Sequence, residues 1–312
     1  DYGSVEDVTV VGMGGSAIGG ALLKGLVADE CEIPISVVRD YALPTFVQGP
    51  DSLVIASSYS GNTEETLSCF EQAQARGART LAITTGGKLV ELAQAAGAPV
   101  VQFDYESQPR AAIGYSLTLL LGVSHRLGLI RDYAADVAES VQVMDTWQQE
   151  IDAGIPQVRN PAKKLAERIE DNLPVIYGAG FLAAVANRWK TQFNENAKHW
   201  AFFEILPELN HNAVVGLGIP DVIRDTSVAL MLRSARDPKR IQERWDVTRE
   251  LLSREGVAVE EIHGRGESSF AQMLSLIHFG DFVSFYVAML NEVDPTPVET
   301  IAFLKHRLAE RG

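Results

Sequence analysis

Apolar runs of strand length alternate with helix-length segments between Val8 and Leu129. The predicted strands are Val8–Val11, Ile35–Val38, Leu53–Ala56, Thr80–Ile83 and Val100–Phe103. The predicted helices between them are Ala17–Val27, Thr63–Arg76 and Lys88–Ala96. Continuous apolar strands that are separated by helices are typical of a parallel sheet covered on both faces. The pattern predicts an α/β fold for this half of the chain.

The same order of elements restarts in the second half. A strand at Pro174–Tyr177, a glycine turn at Gly178–Gly180 and a helix at Phe181–His199 repeat the opening strand, loop and helix. The alternation continues with two strands and three helices: Val228–Leu232, Val257–Ile262, Ile241–Arg254, Ser268–Leu290 and Pro297–Ala309. This likeness predicts an internal duplication, with two doubly wound parallel-sheet domains that are each an αβα sandwich.

The domain boundary is predicted after a long polar helix at Tyr133–Ile151. Gly154, Pro156 and Pro161 follow that helix and interrupt regular structure. We therefore expect domains at residues 1–153 and 154–312. Because the chain starts at Asp1 without a methionine and enters its first strand almost at once, we also expect that an N-terminal segment is missing.

Two loops rich in glycine and serine follow the first and third predicted strands. The first loop is GMGGSAIGG, residues Gly12–Gly20, and the second loop is SSYSGNTEET, residues Ser57–Thr66. Each loop leads from a strand into a helix, so backbone N–H groups and the helix dipole converge on one point. Such a point is a binding site for an anion.

Hydroxyl side chains narrow the choice of anion to a phosphomonoester, whose terminal oxygens need several donors. The donors are Ser16, Ser58, Ser60 and Thr63, and close backbone approach is allowed by Gly14, Gly15 and Gly61. The simpler alternative is that these residues only cap helices, because Ser and Thr are preferred N-cap types. Two such loops in adjacent strand–helix units favour a phosphate site. The second half lacks the serines, so we expect a single site.

Charge and composition exclude several classes of partner. The formal net charge is −14, from 27 basic and 41 acidic residues, which argues against nucleic-acid binding. The longest apolar run found in the sequence, Ala111–Leu121, is shorter than the roughly 20 residues that a bilayer span requires. No membrane association is therefore predicted. Cys31 and Cys69 lack metal-ligand spacing and fit a reducing, cytoplasmic setting.

Three further side chains are candidates for chemistry. Arg110 follows the fifth strand, at the edge where open α/β sheets bind ligands, although an arginine at a helix start is the alternative. Glu195 lies near the end of a helix with an aromatic side and would suit a general base, although pairing with Lys198 explains it as well. His211 lies in the turn-rich segment PELNHN, where a capped or hydrogen-bonded loop histidine is the alternative.

Five segments, in order and across the whole chain, resemble the bifunctional phosphoglucose/phosphomannose isomerases of the sugar isomerase (SIS) domain superfamily. They are GMGGSAIGG, SYSGNTEET, PRAAIGY, NENAKHWAF and PELNHN. The resemblance implies two SIS domains in a homodimer that interconverts glucose 6-phosphate or mannose 6-phosphate with fructose 6-phosphate. It implies neither a metal nor another cofactor.

The resemblance also assigns roles to residues. By similarity the phosphate is bound by Gly15, Ser16, Ser58, Ser60 and Thr63. Arg110 is then expected to stabilise the enediolate intermediate, and Glu195 to move the proton between C1 and C2. His211 is expected to assist ring opening in the neighbouring subunit's site. Lys305 is expected to complete the ring-opening and phosphate-side chemistry.

The chain departs from the family's pattern next to the proposed histidine. Ala213 stands where many relatives carry a carboxylate, which puts the orientation of His211 in question but not the reaction class. Acceptance of mannose is associated in the family with a threonine near the C-terminal part of the site. Thr296 and Thr300 are both candidates for it.

Three other functions compete with this interpretation. Gly12, Gly14 and Ala17 satisfy a dinucleotide fingerprint, with Asp40 as its acidic residue, but an oxidoreductase would have no use for the second loop. A phosphosugar-binding regulator would need an attached effector domain. An isomerase of an aminosugar phosphate or a pentose phosphate would share every argument made so far.

Overall fold

The computed structural model describes residue 2 and residues 4–311. The chain forms two compact units, Asp1–Ala135 and Asp136–Gly312. The first unit contains five parallel strands: β1 Asp7–Val11, β2 Ile35–Val38, β3 Ser52–Ser58, β4 Arg79–Thr84 and β5 Val100–Gln102. Their order in the sheet is β2-β1-β3-β4-β5. Because the order reverses between β1 and β3, their carboxyl ends border the crevice where such sheets bind ligands.

Four helices cover this sheet: α1 Gly14–Leu26, α2 Glu64–Ala75, α3 Lys88–Ala95 and α4 Ile113–Arg126. All seven residues of the central strand β3 are buried, which accounts for its continuous apolar run. Helix α1 begins at Gly14, three residues before the predicted start at Ala17. The five strands predicted for this half are confirmed.

The second unit repeats the strand order of the first. Its parallel strands are β6 Leu173–Ala179, β7 Phe202–Leu206, β8 Ser227–Arg233 and β9 Ala258–His263, in the order β7-β6-β8-β9. Its helices are α6 Pro161–Ile169, α7 Ala183–Asn196, α8 Asp221–Asp225, α9 Lys239–Arg254, α10 Ser269–Leu290 and α11 Glu299–Ala309. The two parallel sheets confirm the predicted α/β class, and the matching strand orders support the duplication.

Strand β7 and helices α6 and α8 of the second unit escaped the sequence prediction. Strand β7 lies at the edge of its sheet and exposes Phe202 and Ile205, so no continuous apolar run marks it. Helix α6 starts at Pro161, which the sequence pattern suggested was an interruption. Proline is tolerated at the first helical position, and Asn160 caps this helix by accepting bonds from two backbone N–H groups.

The long helix α5, Ala134–Ile151, belongs mostly to the second unit. Trp147 stacks on Phe279 of α10 with ring centroids 4.7 Å apart, and the Tyr286 hydroxyl donates to the Ile151 carbonyl over 2.5 Å. The compact units therefore divide between Ala135 and Asp136, ahead of the boundary near residue 154 that the sequence predicts.

Helix α10 is the central helix of the second unit. By length and composition alone, this helix could cross a membrane. The sequence shows no long uninterrupted apolar run there because Gln272, His278 and Asp281 interrupt it. Of the candidate window, 61% is buried inside the protein, as in a core helix. Gly280 lies so close to Trp189 of α7 that an added Cβ would be 2.4 Å from the indole.

Candidate functional site

The first loop places a helix start against the second loop. Gly12 lies so close to β3 that an added Cβ would be 2.7 Å from the Ser57 carbonyl oxygen. Gly14, which begins α1, has a φ of +50°, a conformation that favours glycine. Because the first N–H groups of a helix have no acceptor within it, the start of α1 presents backbone donors at the carboxyl end of the sheet.

The second loop is held in shape by a close contact with the loop after β4. Gly61 has a φ of +66°, and an added Cβ would lie 1.7 Å from the Gly86 carbonyl oxygen. The Gly61 carbonyl accepts from Leu89 N over 3.0 Å, and Asn62 Oδ1 accepts from Lys88 N over 3.0 Å. The second loop is therefore fastened to the start of α3.

Helix capping does not explain the hydroxyl residues of the two loops. Thr63 stands at the N-cap position of α2, yet its side chain makes no capping bond and its Oγ1 lies 3.1 Å from Ser58 Oγ. True side-chain caps do occur in this protein, since Asn160 caps α6 and Ser268 caps α10. The contrast removes the alternative that we weighed from the sequence for Thr63.

The serine hydroxyls accept hydrogen bonds from backbone N–H groups. Ser16 Oγ accepts from Tyr59 N over 3.3 Å, and Ser58 Oγ accepts from Gly61 N over 3.1 Å. Ser60 Oγ accepts from Asn62 N over 3.3 Å. A hydroxyl that accepts a bond still has one proton to donate. The arrangement thus suits an anion, which needs donors and offers only acceptors.

The predicted phosphate residues differ in their exposure. Ser60 is exposed, whereas Gly15, Ser16 and Thr63 are half-buried. Ser58 is only 2% exposed and lies beneath the loop surface. Ser60 is therefore the hydroxyl most open to a ligand, and the buried Ser58 lies within hydrogen-bond distance of Thr63.

The structure brings the segment that carries Arg110 to the same place. Arg110 lies in a 3-10 helix, Pro109–Ala112, and is 7% exposed. Gly15 packs so tightly on this segment that an added Cβ would be 2.9 Å from the Pro109 carbonyl oxygen. A cavity of about 10 Å³ joins the loops and is lined by Gly15, Ser16, Ser57, Tyr59, Ile83, Phe103, Pro109, Ala112 and Ser116. The first unit thus brings the two loops and the segment that carries the buried Arg110 to one crevice, although Arg110 itself does not line this cavity.

Sequence reasoning missed Tyr59, which makes hydrogen bonds to the first loop, to the loop after β4 and to the chain just before the Arg110 segment. Its hydroxyl bonds to the backbone of Tyr105 and Ser107, and its carbonyl accepts from Thr85 N over 3.1 Å. The sequence signal that could have identified Tyr59 was its position between Ser58 and Ser60 at the end of a strand.

In the second unit, Glu195 lies in the last turn of α7 and is half-buried. The Lys198 ammonium donates to the backbone carbonyl of Glu195 over 2.9 Å and to those of Asp294 and Pro295 over 2.8 and 3.1 Å. Lys198 thereby fastens the end of α7 to the segment that contains Thr296. Thr300 lies further along, in the exposed first turn of α11.

His211 ends a short 3-10 helix and is exposed. The turn itself is anchored, because Leu209 is 1% exposed and Asn210 Nδ2 donates to Thr248 Oγ1 over 2.9 Å. Asn212 Nδ2 donates to Glu208 Oε1 over 2.9 Å. The turn therefore contains a carboxylate three residues before His211, although position 213 is an alanine.

The remaining predicted residue, Lys305, lies on α11, whose residues are all exposed. His199 has a structural role. Its Nε2 lies 2.8 Å from the Asn172 carbonyl, so this nitrogen carries the proton and Nδ1 accepts from Asn291 over 3.3 Å.

The second sheet fills its corresponding crevice with its own carboxylate. After β8, Asp237 Oδ2 accepts from Trp245 Nε1 over 2.9 Å and from Ser234 N over 3.4 Å. Burial raises the pKa of Asp237 despite these bonds. Two donors after β8 are therefore already bonded to a carboxylate of the protein, which supports a single phosphate site.

Comparison with known proteins adds independent information. Residues 158–308 match a family model described as the bacterial phospho-glucose isomerase C-terminal SIS domain. A bifunctional phosphoglucose/phosphomannose isomerase from Caldicellulosiruptor bescii is 45% identical over 98% of this chain and 90% of its own length. A protein of the same description from Aquifex aeolicus is 38% identical over all of this chain and 93% of its own length.

A solved structure has the same fold. The tagatose-6-phosphate ketose/aldose isomerase from Escherichia coli superposes with a TM-score of 0.70, covering 92% of this chain and 82% of its own. The two sequences are 19% identical, so this likeness speaks for the fold alone.

Proposed function

Because the chain belongs to the family of bifunctional phosphoglucose/phosphomannose isomerases, we propose that it interconverts glucose 6-phosphate and mannose 6-phosphate with fructose 6-phosphate. The chain is thus an enzyme, an aldose–ketose isomerase of hexose phosphates. The observation that carries the proposal is the crevice of the first unit. There, serine hydroxyls accept hydrogen bonds from backbone N–H groups beside the buried Arg110.

The proposed roles follow from the chemistry of isomerisation. A base must remove a proton from one carbon and return it to the next, and the enediolate formed between these steps carries an oxyanion. We assign the base to Glu195 and the stabilising charge to Arg110. The phosphate is assigned to Gly15, Ser16, Ser58, Ser60 and Thr63, and ring opening to His211 with Lys305. Nothing in this sequence of proton transfers calls for a cofactor.

We also propose that the enzyme is a homodimer in which His211 acts in the partner's site. Support comes from the exposure of His211 and from an apolar surface on and beside the edge strand β7. Trp200 is 73% exposed there, Phe202 44% and Ile205 38%. Exposed aromatic and aliphatic clusters of this kind mark interfaces between proteins. Both cysteines are free thiols, which supports a cytoplasmic setting.

A coupled assay tests the proposed activity. The purified protein is given glucose 6-phosphate or mannose 6-phosphate, and fructose 6-phosphate is followed. Glu195→Gln keeps the shape of the side chain but cannot take up a proton, so we expect turnover of both sugars to disappear. Glu250→Gln, on the exposed side of α9, is the matched control and should leave the rate unchanged.

Two outcomes would contradict the proposal. Turnover of an aminosugar phosphate or a pentose phosphate without turnover of the hexose phosphates would indicate a different substrate. Phosphosugar binding without any turnover would indicate a regulator. The fold and the crevice would remain as described, but the assigned reaction would be wrong.

The shared histidine has its own test, in which two inactive variants are mixed. A hybrid dimer of Glu195→Gln and His211→Ala protomers contains one site with both residues intact, provided that His211 acts across the interface. Equal mixing should then restore about a quarter of the wild-type rate, because half of the dimers are hybrids with one working site each. If His211 acts within its own subunit, mixing restores nothing.

A further inference from the structure

Tyr59 lies in the loop after β3 and makes hydrogen bonds to the loops after β1, β4 and β5 at the carboxyl edge of the first sheet. Its backbone N–H donates to Ser16 Oγ in the first loop, and its carbonyl accepts from Thr85 Oγ1 over 2.7 Å in the loop after β4. Its hydroxyl contacts the loop after β5, where it accepts from Ser107 N over 2.9 Å and approaches the carbonyls of Tyr105 and Ser107. Tyr59 itself belongs to the second loop. One residue therefore ties four loops together.

The loop held by the Tyr59 hydroxyl leads directly to Arg110. Ser107 is three residues before Arg110, and only Gln108 and Pro109 stand between them. Aromatic packing supports the same loop, since Tyr105 packs on Tyr115 with centroids 4.8 Å apart. A shift of the Tyr59 ring would consequently move the backbone that carries the guanidinium.

The other end of Tyr59 is attached to the residues that we assign to the phosphate. Ser58 and Ser60 are its chain neighbours, and Ser16 accepts its N–H over 3.3 Å. A ligand that orders these serines therefore orders Tyr59 as well. Through the hydrogen bonds of its hydroxyl, the Tyr59 side chain then also restrains the segment that carries Arg110.

We propose that Tyr59 is a positioning residue that couples phosphate binding to the placement of Arg110. The inference rests on the proposed function, because it takes Arg110 as the group that stabilises the enediolate. Its physical basis is preorganisation: a charge stabilises an oxyanion best when its position is set before the reaction. Tyr59 would use the contacts of the remote phosphate to set that position.

Two ligands distinguish the phosphate subsite from the position at which Arg110 acts. Inorganic phosphate occupies only the phosphate subsite. A five-carbon aldonate with a terminal phosphate also presents a carboxylate, which resembles the enediolate in charge and planarity. Titration calorimetry of the protein should show that Tyr59→Phe weakens binding of the aldonate phosphate by about five- to tenfold, because the hydroxyl's hydrogen bonds to the loop after β5 are lost. Inorganic phosphate should change by less than about twofold.

Arg110→Met supplies the second arm of a double-mutant cycle. In that variant the aldonate phosphate no longer meets the guanidinium, so adding Tyr59→Phe should have no further effect on its affinity. Tyr115→Phe is the matched control. It removes a phenol hydroxyl from the same aromatic cluster, one that makes no hydrogen bond within residues 4–311, and should leave both affinities unchanged.

Each contrary result overturns a different statement. If Tyr59→Phe weakens both ligands equally, or adds fully to Arg110→Met, Tyr59 merely supports the loops and the coupling is wrong. Unchanged affinities in Tyr59→Phe would also refute it. If the wild-type protein binds the aldonate phosphate no better than inorganic phosphate and does not isomerise fructose 6-phosphate, the proposed function fails, whatever Tyr59 does.

Discussion

Replacing Gly61 by alanine should damage the second loop far more than the backbone conformation alone would suggest. Gly61 has a φ of +66°, and its Cβ would stand 1.7 Å from the Gly86 carbonyl oxygen. Gly77 is a matched control, because it has a φ of +70° and nothing within 4 Å of the added Cβ. Both substitutions carry the same conformational strain, and only Gly61→Ala adds a collision.

The magnitude can be worked out from this pair. Left-handed backbone costs an alanine about 1–2 kcal/mol, and the loss of freedom in the unfolded chain returns about 0.4–1 kcal/mol. Gly77→Ala should therefore lose about 1 kcal/mol of unfolding free energy. An ordinary contact begins at 3.4 Å, so Gly61→Ala must push the two loops apart by about 1.7 Å. Overpacking of this kind costs about 1–3 kcal/mol in addition.

The assay must report on the first unit. All four tryptophans lie in the second unit, so unfolding in urea is followed by far-UV circular dichroism as well as by fluorescence. Titration with inorganic phosphate measures the site. Gly61→Ala should lose phosphate binding, because the displaced loop carries Ser58 and Ser60, whereas Gly77→Ala should keep it. Equal loss of stability in the two variants, with phosphate binding retained in both, would refute the collision argument.

Other substitutions test the second unit and the helices. Asn160→Ala removes two capping bonds and two bonds to the carbonyls of Ile151 and Asp152, so urea unfolding should show a loss of roughly 2–4 kcal/mol. Gly280→Ala should destabilise the protein through the contact with Trp189, whereas Gly122→Ala, in open space on α4, should stabilise it by about 0.5–1 kcal/mol. Burial lowers the pKa of His278, whose Nε2 is buried and lacks a hydrogen-bond partner among the described residues. The unfolded chain then binds more protons than the native one, so stability is present above the ordinary histidine pKa of about 6.5 and falls as the pH drops below it. His278→Phe should flatten that fall, by at most about 1.4 kcal/mol per pH unit, and an unchanged pH profile of unfolding would contradict the assignment.

Much of the fold could be predicted because its signals are local. Strands that are buried on both faces are expected to be continuously apolar, and β3 and β8 satisfy this at 53–56 and 228–232. The glycine and serine loops could also be recognised locally, because the start of each helix and the hydroxyls near it are close together in the sequence. Strand β7 escaped prediction since an edge strand shares its faces with solvent, and its sequence shows no continuous apolar run.

The sequence by itself determined the α/β class, the duplication and the two loops that suit a phosphate. Only the tertiary structure decided that Ser16, Gly15 and the Arg110 segment meet around Tyr59, and that Thr63 does not cap its helix. It also showed that Asp237 fills the corresponding position in the second sheet. For the meeting around Tyr59, the physical reason is separation along the chain. Residues that are forty or more positions apart approach one another only because parallel strands bring their carboxyl ends to one edge, and no local pattern records that contact.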